Sequence, residues 1–189
     1  MTDSGLNRRA AIISGSAALI TLAAPKVLRA QEASKADRNA SGFVTQHWQD
    51  HFDTLGKGAI VCDTRSRALH HWSADGSDYR VYPTSVPMTD ALTRRGYSKI
   101  VRKKVGPTWT PTANMKKADP SLPDFLPAGP GNPLGTHAMY LTWPAYLIHG
   151  THDTRKIGRK SSSGCIGLYN RMIQELFAIT PIGTQVRII

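Results

Sequence analysis

Thiols are scarce in this sequence, and acids are outnumbered. The 189 residues hold only two cysteines, Cys62 and Cys165, too few to staple a fold with disulfides, so a hydrophobic core has to carry it. Asp and Glu total 13 against 24 Lys and Arg, a formal net charge of +11. That shortage of acid points to an anionic partner such as nucleic acid, an acidic membrane face or an acidic wall polymer, and charge alone does not choose among them. No internal repeat occurs, and no long apolar segment follows the N-terminal uncharged run Ala10 to Ala24, itself short for a bilayer span. Metal-site spacing is missing too. His47 and His51 stand four apart, as zinc ligands on a helix can, but no glutamate or further ligand completes the motif.

What is present at the N-terminus reads as an address. Asn7-Arg8-Arg9 precedes the uncharged run, and Pro25 and a short polar segment ending at Leu28-Arg29-Ala30 follow it. A cationic start, a short apolar core and a small residue for cleavage make an export signal over residues 1–30. The paired arginines predict the twin-arginine route, with an ordinary secretory signal as the alternative. Residues 31–57 read as a leader or linker. Gln31 to Gly42 has almost nothing to bury, and Phe43 to Phe52 is expected to form a short helix or an irregular packing strap. Folded structure is expected from Gly58, with one domain filling 58–189.

Within that domain, short β-patterned runs dominate. Ala59 to Asp63, Ala68 to Trp72 and Tyr79 to Tyr82, separated by turn residues such as Asp75-Gly76, predict a three-stranded meander. Tyr97 to Val105 is expected to continue it, its basic residues forming a solvated face. Gly106 to Gly135 is rich in Pro and Gly but carries Trp109, Met115, Leu122, Phe125 and Leu126, so it predicts a long ordered loop walling the site. Thr136–Leu141 and Pro144–His149 read as strands, the second delivering His149 at its tip. Asn170 is the expected N-cap of a short helix burying Met172, Ile173, Leu176 and Phe177, and Gln185 to Ile189 closes the chain as a strand. The expected class is mainly β.

The chemistry concentrates between Tyr146 and Tyr169. A thiol attacks only as thiolate, and a nearby imidazole supplies the base. Cys165 and His149 fill those roles if the intervening loop folds back. Ser163-Gly164-Cys165 is a small-residue turn that can aim backbone N–H groups at an oxyanion. The implied reaction is acyl transfer through a thioester. The competing readings are a structural Cys and His, a Cys62–Cys165 bridge, and a zinc site of Cys165 with His149, His152 or His137, whose spacings fit no common site. Cys62, in Ala59-Ile60-Val61-Cys62, reads as a small buried hydrophobe.

His149-Gly150-Thr151, Ile157-Gly158-Arg159, Ser162-Ser163-Gly164-Cys165-Ile166, Tyr169-Asn170 and the closing Pro181 to Val186 resemble the catalytic domain of the YkuD-type L,D-transpeptidases. The likeness is dense from Asn132 to the C-terminus and looser back to about Ala59. It implies a β-sandwich or barrel with one short C-terminal-region helix, in an exported, periplasmic enzyme acting on peptidoglycan. In that family the cysteine attacks the carbonyl of the third stem residue, usually meso-diaminopimelate, expels D-alanine, and passes the acyl group to an amine. The resemblance makes Cys165 the nucleophile and His149 the base, with the Gly150 carbonyl orienting the imidazole. It puts Ser163 and Gly164, with the Cys165 N–H, at the oxyanion hole, and Tyr146, Thr151, Arg159 and Arg171 on the substrate. The implied partners are stem peptides and, as a candidate acceptor, an envelope protein. No cofactor, metal or nucleic acid is implied, and the membrane is met only through the export signal. Two positions depart from the family's usual pattern. Ser163 stands where histidine is common, and Gly167 where arginine is common, which removes a bidentate carboxylate contact. That departure leaves hydrolysis, as in an L,D-carboxypeptidase or amidase, and a catalytically silent wall-binding module as alternatives.

Overall fold

The computed structural model describes residues 44–189; the expected signal at 1–30 and the leader up to residue 43 lie outside them. Among the described residues no helix is long and apolar enough to cross a membrane. The frame is an eight-stranded sheet in the order β3-β2-β1-β10-β5-β6-β7-β9, with a two-stranded ribbon of β4 and β8 beside it. The strands are β1 (Ala59–Asp63), β2 (Ala68–Trp72), β3 (Tyr79–Pro83), β4 (Val86–Pro87), β5 (Gly96–Val105), β6 (His137–Leu141), β7 (Leu147–His149), β8 (Lys160–Ser162), β9 (Ile166–Gly167) and β10 (Gln185–Ile188).

The β1-β2-β3 meander forms, but β5 does not continue it. The last strand, β10, lies parallel to β1, Ile60 opposite Val186, and antiparallel to β5, Val186 opposite Ser98. Local turn chemistry predicts hairpins; it carries no signal for a strand that arrives from the far end of the chain. The segment Pro144–His149 is also shorter as a strand than expected. Only Leu147–His149 pairs, because the preceding residues turn back, with Tyr146 N–H donating to Trp143 O and Ala145 at φ 59°.

Alternation on these strands builds two apolar faces. Ile60, Cys62, Leu69, Ile100, Met139, Ile148, Ile166, Val186 and Ile188 point inward with Tyr82 and Leu168, and the sheet curls around helix α2 (Asn170–Ile179), which adds Ile173 and Leu176. On the other face Ala59, Val61 and Trp72 are covered by Phe52 and Leu55, with Trp48 packed against them. Ordered packing therefore begins ahead of Gly58. The strap, which includes a 3-10 turn at Trp48–Asp50, gives β1 its unbroken burial, since both faces of that strand are roofed.

The edges of the curl nearly meet. Ser85, just after β3, forms an antiparallel bridge to Gly167 on β9, with Ser85 N–H to Gly167 O at 2.8 Å and Gly167 N–H to Ser85 O at 3.1 Å. The loop from 106 to 135 contains a short helix, α1 (Ala113–Ala118), capped by Thr112, and a bridge between Trp109 and Leu126. Asn132 holds it together, its amide donating to Pro107 O and Pro127 O, both at 2.9 Å. The two cysteines are free, Cys62 fully buried and Cys165 partly exposed.

Candidate active site

β7 and β9 run parallel, Ile148 opposite Ile166 and His149 opposite Gly167. This pairing brings the strand that ends in His149 beside the turn that carries Cys165. Side chains two apart on a strand share a face, so His149 shares the face of Leu147, and Leu147 packs with Leu134, Ala138, Trp109, Tyr140 and Cys165. The long loop thus reaches the thiol's surroundings through Trp109 and Leu134. The groups that sequence reasoning paired, Cys165 and His149, stand on one side of the sheet.

The imidazole is fixed by its own chain. His149 Nδ1 bonds the Gly150 carbonyl, and because a carbonyl only accepts, Nδ1 carries the hydrogen and Nε2 presents its lone pair. Burial holds His149 down at about 4, with the Gly150 contact pulling it partly back up and Lys156 pushing it lower. Burial raises Cys165 to about 11, partly offset by the Leu147 N–H. At neutral pH the site therefore holds a thiol and a neutral imidazole rather than an ion pair. The thiol rests on Ala145 O at 3.4 Å. That carbonyl is presented by the left-handed Ala145 (φ 59°), a conformation that costs a non-glycine residue free energy.

The turn before the cysteine is built from small groups. Gly164 has φ 138°, and a Cβ there would lie 3.4 Å from the Tyr146 ring. Its N–H reaches Ser162 Oγ at 3.4 Å, while Ser162 Oγ donates to Cys165 O at 2.6 Å. Among the described residues neither the Ser163 nor the Cys165 N–H has a backbone acceptor. Tyr146 is held from behind: its hydroxyl accepts from Arg94 N–H at 2.7 Å and donates to Leu92 O. Thr151 is buried and its hydroxyl accepts from Asp153 N–H at 3.1 Å. Arg159 is exposed on the loop between His149 and the thiol, and Arg171 is exposed on the first turn of α2. Among the described residues no group of three or more His, Cys, Asp or Glu could hold a metal.

Two features escaped sequence reasoning. Asn170 is not the cap of α2; the N-cap position is Tyr169, whose side chain makes no capping bond to the helix. The Asn170 Oδ1 instead accepts from Thr136 N–H at 3.1 Å. A Cβ on Gly135 or Gly150 would lie 2.2 or 2.3 Å from that oxygen. The amide thus locks the strand entry at 136 against the backbone that presents the Gly150 carbonyl. Position 167 is the second. A Cβ there would stand 2.4 Å from Ser85 Oγ and 3.8 Å from His149 Cε1, so the Ser85 hydroxyl fills the place a larger residue would need.

Residues 57–188 match the YkuD family, described as the L,D-transpeptidase catalytic domain. The chain belongs to this family. A putative L,D-transpeptidase encoded in the ATP synthase subunits region of Fuscovulum blasticum is 60% identical over 193 residues, covering 100% of both chains. The probable L,D-transpeptidase ErfK/SrfK of Escherichia coli K12 is 40% identical over 142 residues, which cover 72% of this chain and 45% of that relative. This YkuD-family chain thus spans all of the first relative and about half the length of the second. Among solved structures, an L,D-transpeptidase from Mycobacterium smegmatis superposes with a TM-score of 0.55 at 19% identity, over 70% of this chain and 58% of that one. At that identity the likeness concerns the mainly β fold.

Proposed function

We propose that this protein is an exported, periplasmic peptidoglycan L,D-transpeptidase. The observation that carries the proposal is the pairing of β7 with β9, which sets an Nε2-free His149 and the partly exposed Cys165 on one face. His149 Nε2 takes the S–H proton as Cys165 Sγ bonds to the meso-diaminopimelate carbonyl of a tetrapeptide stem. The oxyanion meets the N–H groups of Ser163, Gly164 and Cys165. The protonated imidazole then gives its proton to the departing D-alanine amine, leaving a thioester. An acceptor amine, from a second stem or an envelope protein, gives a proton to His149 as it attacks, and Cys165 leaves as the thiol. Tyr146 and Thr151 shape the wall of the site, and Arg159 and Arg171 supply positive charge at its rim. The twin-arginine signal is the proposed export route.

A neutral thiol–imidazole pair suits this sequence of steps. Charge develops only as the substrate carbonyl arrives, when the N–H groups are in place to receive it. Gly167 favours a second reading, in which water is the acceptor and the enzyme is a hydrolytic L,D-carboxypeptidase or amidase. The test is incubation of the protein with stem tetrapeptides and mass analysis of products. Cross-linked dimers that disappear in Cys165→Ala are expected; shortened stems alone would replace transfer by hydrolysis, and products formed without the thiol would overturn both.

A further inference from the structure

The face that carries Cys165 and His149 extends across two more strands. Antiparallel partners share a face, and the registers are Arg102 opposite Tyr140 and Tyr140 opposite Leu147. The next row is Lys104 opposite Ala138, and Ala138 opposite His149. Strands lie about 4.8 Å apart, so Arg102 stands roughly 10 Å across the sheet from Leu147 in the thiol's cluster.

Arg102 is on this face because of a bulge. Along β5, Ser98 and Ile100 point into the core, and unbroken alternation would send residue 102 inward after them. The register shifts between Ile100, opposite Leu141, and Arg102, opposite Tyr140. Val101 is the extra residue, and every later side chain changes sides. Bulges beside sites commonly re-aim a side chain in this way. Lys103 now turns inward, donating to Phe177 O and to Thr180 O at the C-terminal end of α2, the latter at 2.6 Å. Arg102 turns outward and lies on the Tyr140 ring, its Cζ 3.4 Å from the centroid. Among the described residues neither Arg102 nor Lys104 enters an ion pair. A guanidinium seated over an aromatic ring and outside any ion pair keeps N–H donors for a planar acceptor.

We infer that Arg102, held over the Tyr140 ring with Lys104 beside it, forms a carboxylate-binding subsite for the donor stem peptide. The inference rests on the transpeptidase reading and supplies, from another strand, a guanidinium that position 167 lacks. Guanidinium–carboxylate recognition depends on the substrate keeping its charge.

The test uses the full chain carrying Cys165→Ala, so that binding is read without turnover. Its ligands are a stem tetrapeptide with free carboxylates and versions amidated at one carboxylate at a time, titrated by calorimetry. Amidation of one particular carboxylate is expected to weaken binding about tenfold, and to cost nothing further once Arg102→Ala is added. Arg102→Lys should fall between, keeping the charge and losing the fork. If Arg102→Ala does not melt cooperatively, Arg102→Gln takes its place with the same expectation. Equal losses on amidation with and without Arg102, or no binding by the unamidated peptide, overturn the subsite. Turnover of the same stem by the protein with Cys165 intact judges the transpeptidase reading separately.

Discussion

At the scale of single residues, the candidate site is a neutral pair, with His149 buried and Cys165 partly exposed. Burial pushes Cys165 up to about 11 and His149 down to about 4, so over the neutral range neither group is charged. A thiolate–imidazolium pair would instead show a reactive thiolate well below pH 7. The expected consequence is that alkylation of Cys165 by iodoacetamide is slow at pH 7 and climbs nearly tenfold per pH unit towards pH 10. Mass spectrometry of the labelled peptide reads it, and a flat rate from pH 6 upward would mean an ion pair. The two candidate reacting residues were legible because the chain puts a lone histidine after an apolar run and a lone thiol in a small-residue turn. Asn170 was misread for a physical reason. Its chain position fits a cap, but its oxygen is used by Thr136 N–H, 34 residues away in sequence.

At the scale of elements, the closure of the sheet decides what position 167 can hold. The Ser85–Gly167 bridge joins the segment after β3 to the opposite edge strand, and Ser85 Oγ lies 2.4 Å from where a Cβ would be. Gly167→Arg is therefore expected to destabilise the fold by about 1–3 kcal/mol, the usual cost of overpacking a tight contact. Ser85→Gly in the same chain should restore much of that loss, because it removes the obstructing hydroxyl. Thermal melts of the two single variants and the double variant check this; additive losses would show that the two positions do not share the space. The departure from the family's usual arginine was visible in the sequence. That a serine more than eighty residues earlier occupies the same volume was not, since no local pattern links them.

At the scale of the whole molecule, three buried histidines make the fold sensitive to acid. His70, His71 and His149 are each held down at about 4 by burial, against about 6.5 in an unfolded chain. Above pH 6.5 both states are neutral and the fold pays nothing. Between pH 6.5 and 4 the unfolded chain takes up protons that the folded one refuses, so stability falls as pH falls. Denaturant midpoints measured from pH 7.5 to 4 should drop throughout that window, and His71→Phe should flatten the slope; a midpoint independent of pH would contradict the burial. The sequence by itself determined the mainly β class, most of the strands and the ordered loop bearing Trp109. These are set by local alternation, turn residues and motif spacing, all of which lie within short windows of chain. Only the tertiary structure decided that β10 inserts between β1 and β5, that a bulge at Val101 moves Arg102 onto the sheet face shared by Tyr140 and Leu147, and that Ser85 fills the space at Gly167. Each of those depends on contacts between residues far apart in the chain, where packing volume and register, rather than local propensity, choose the outcome.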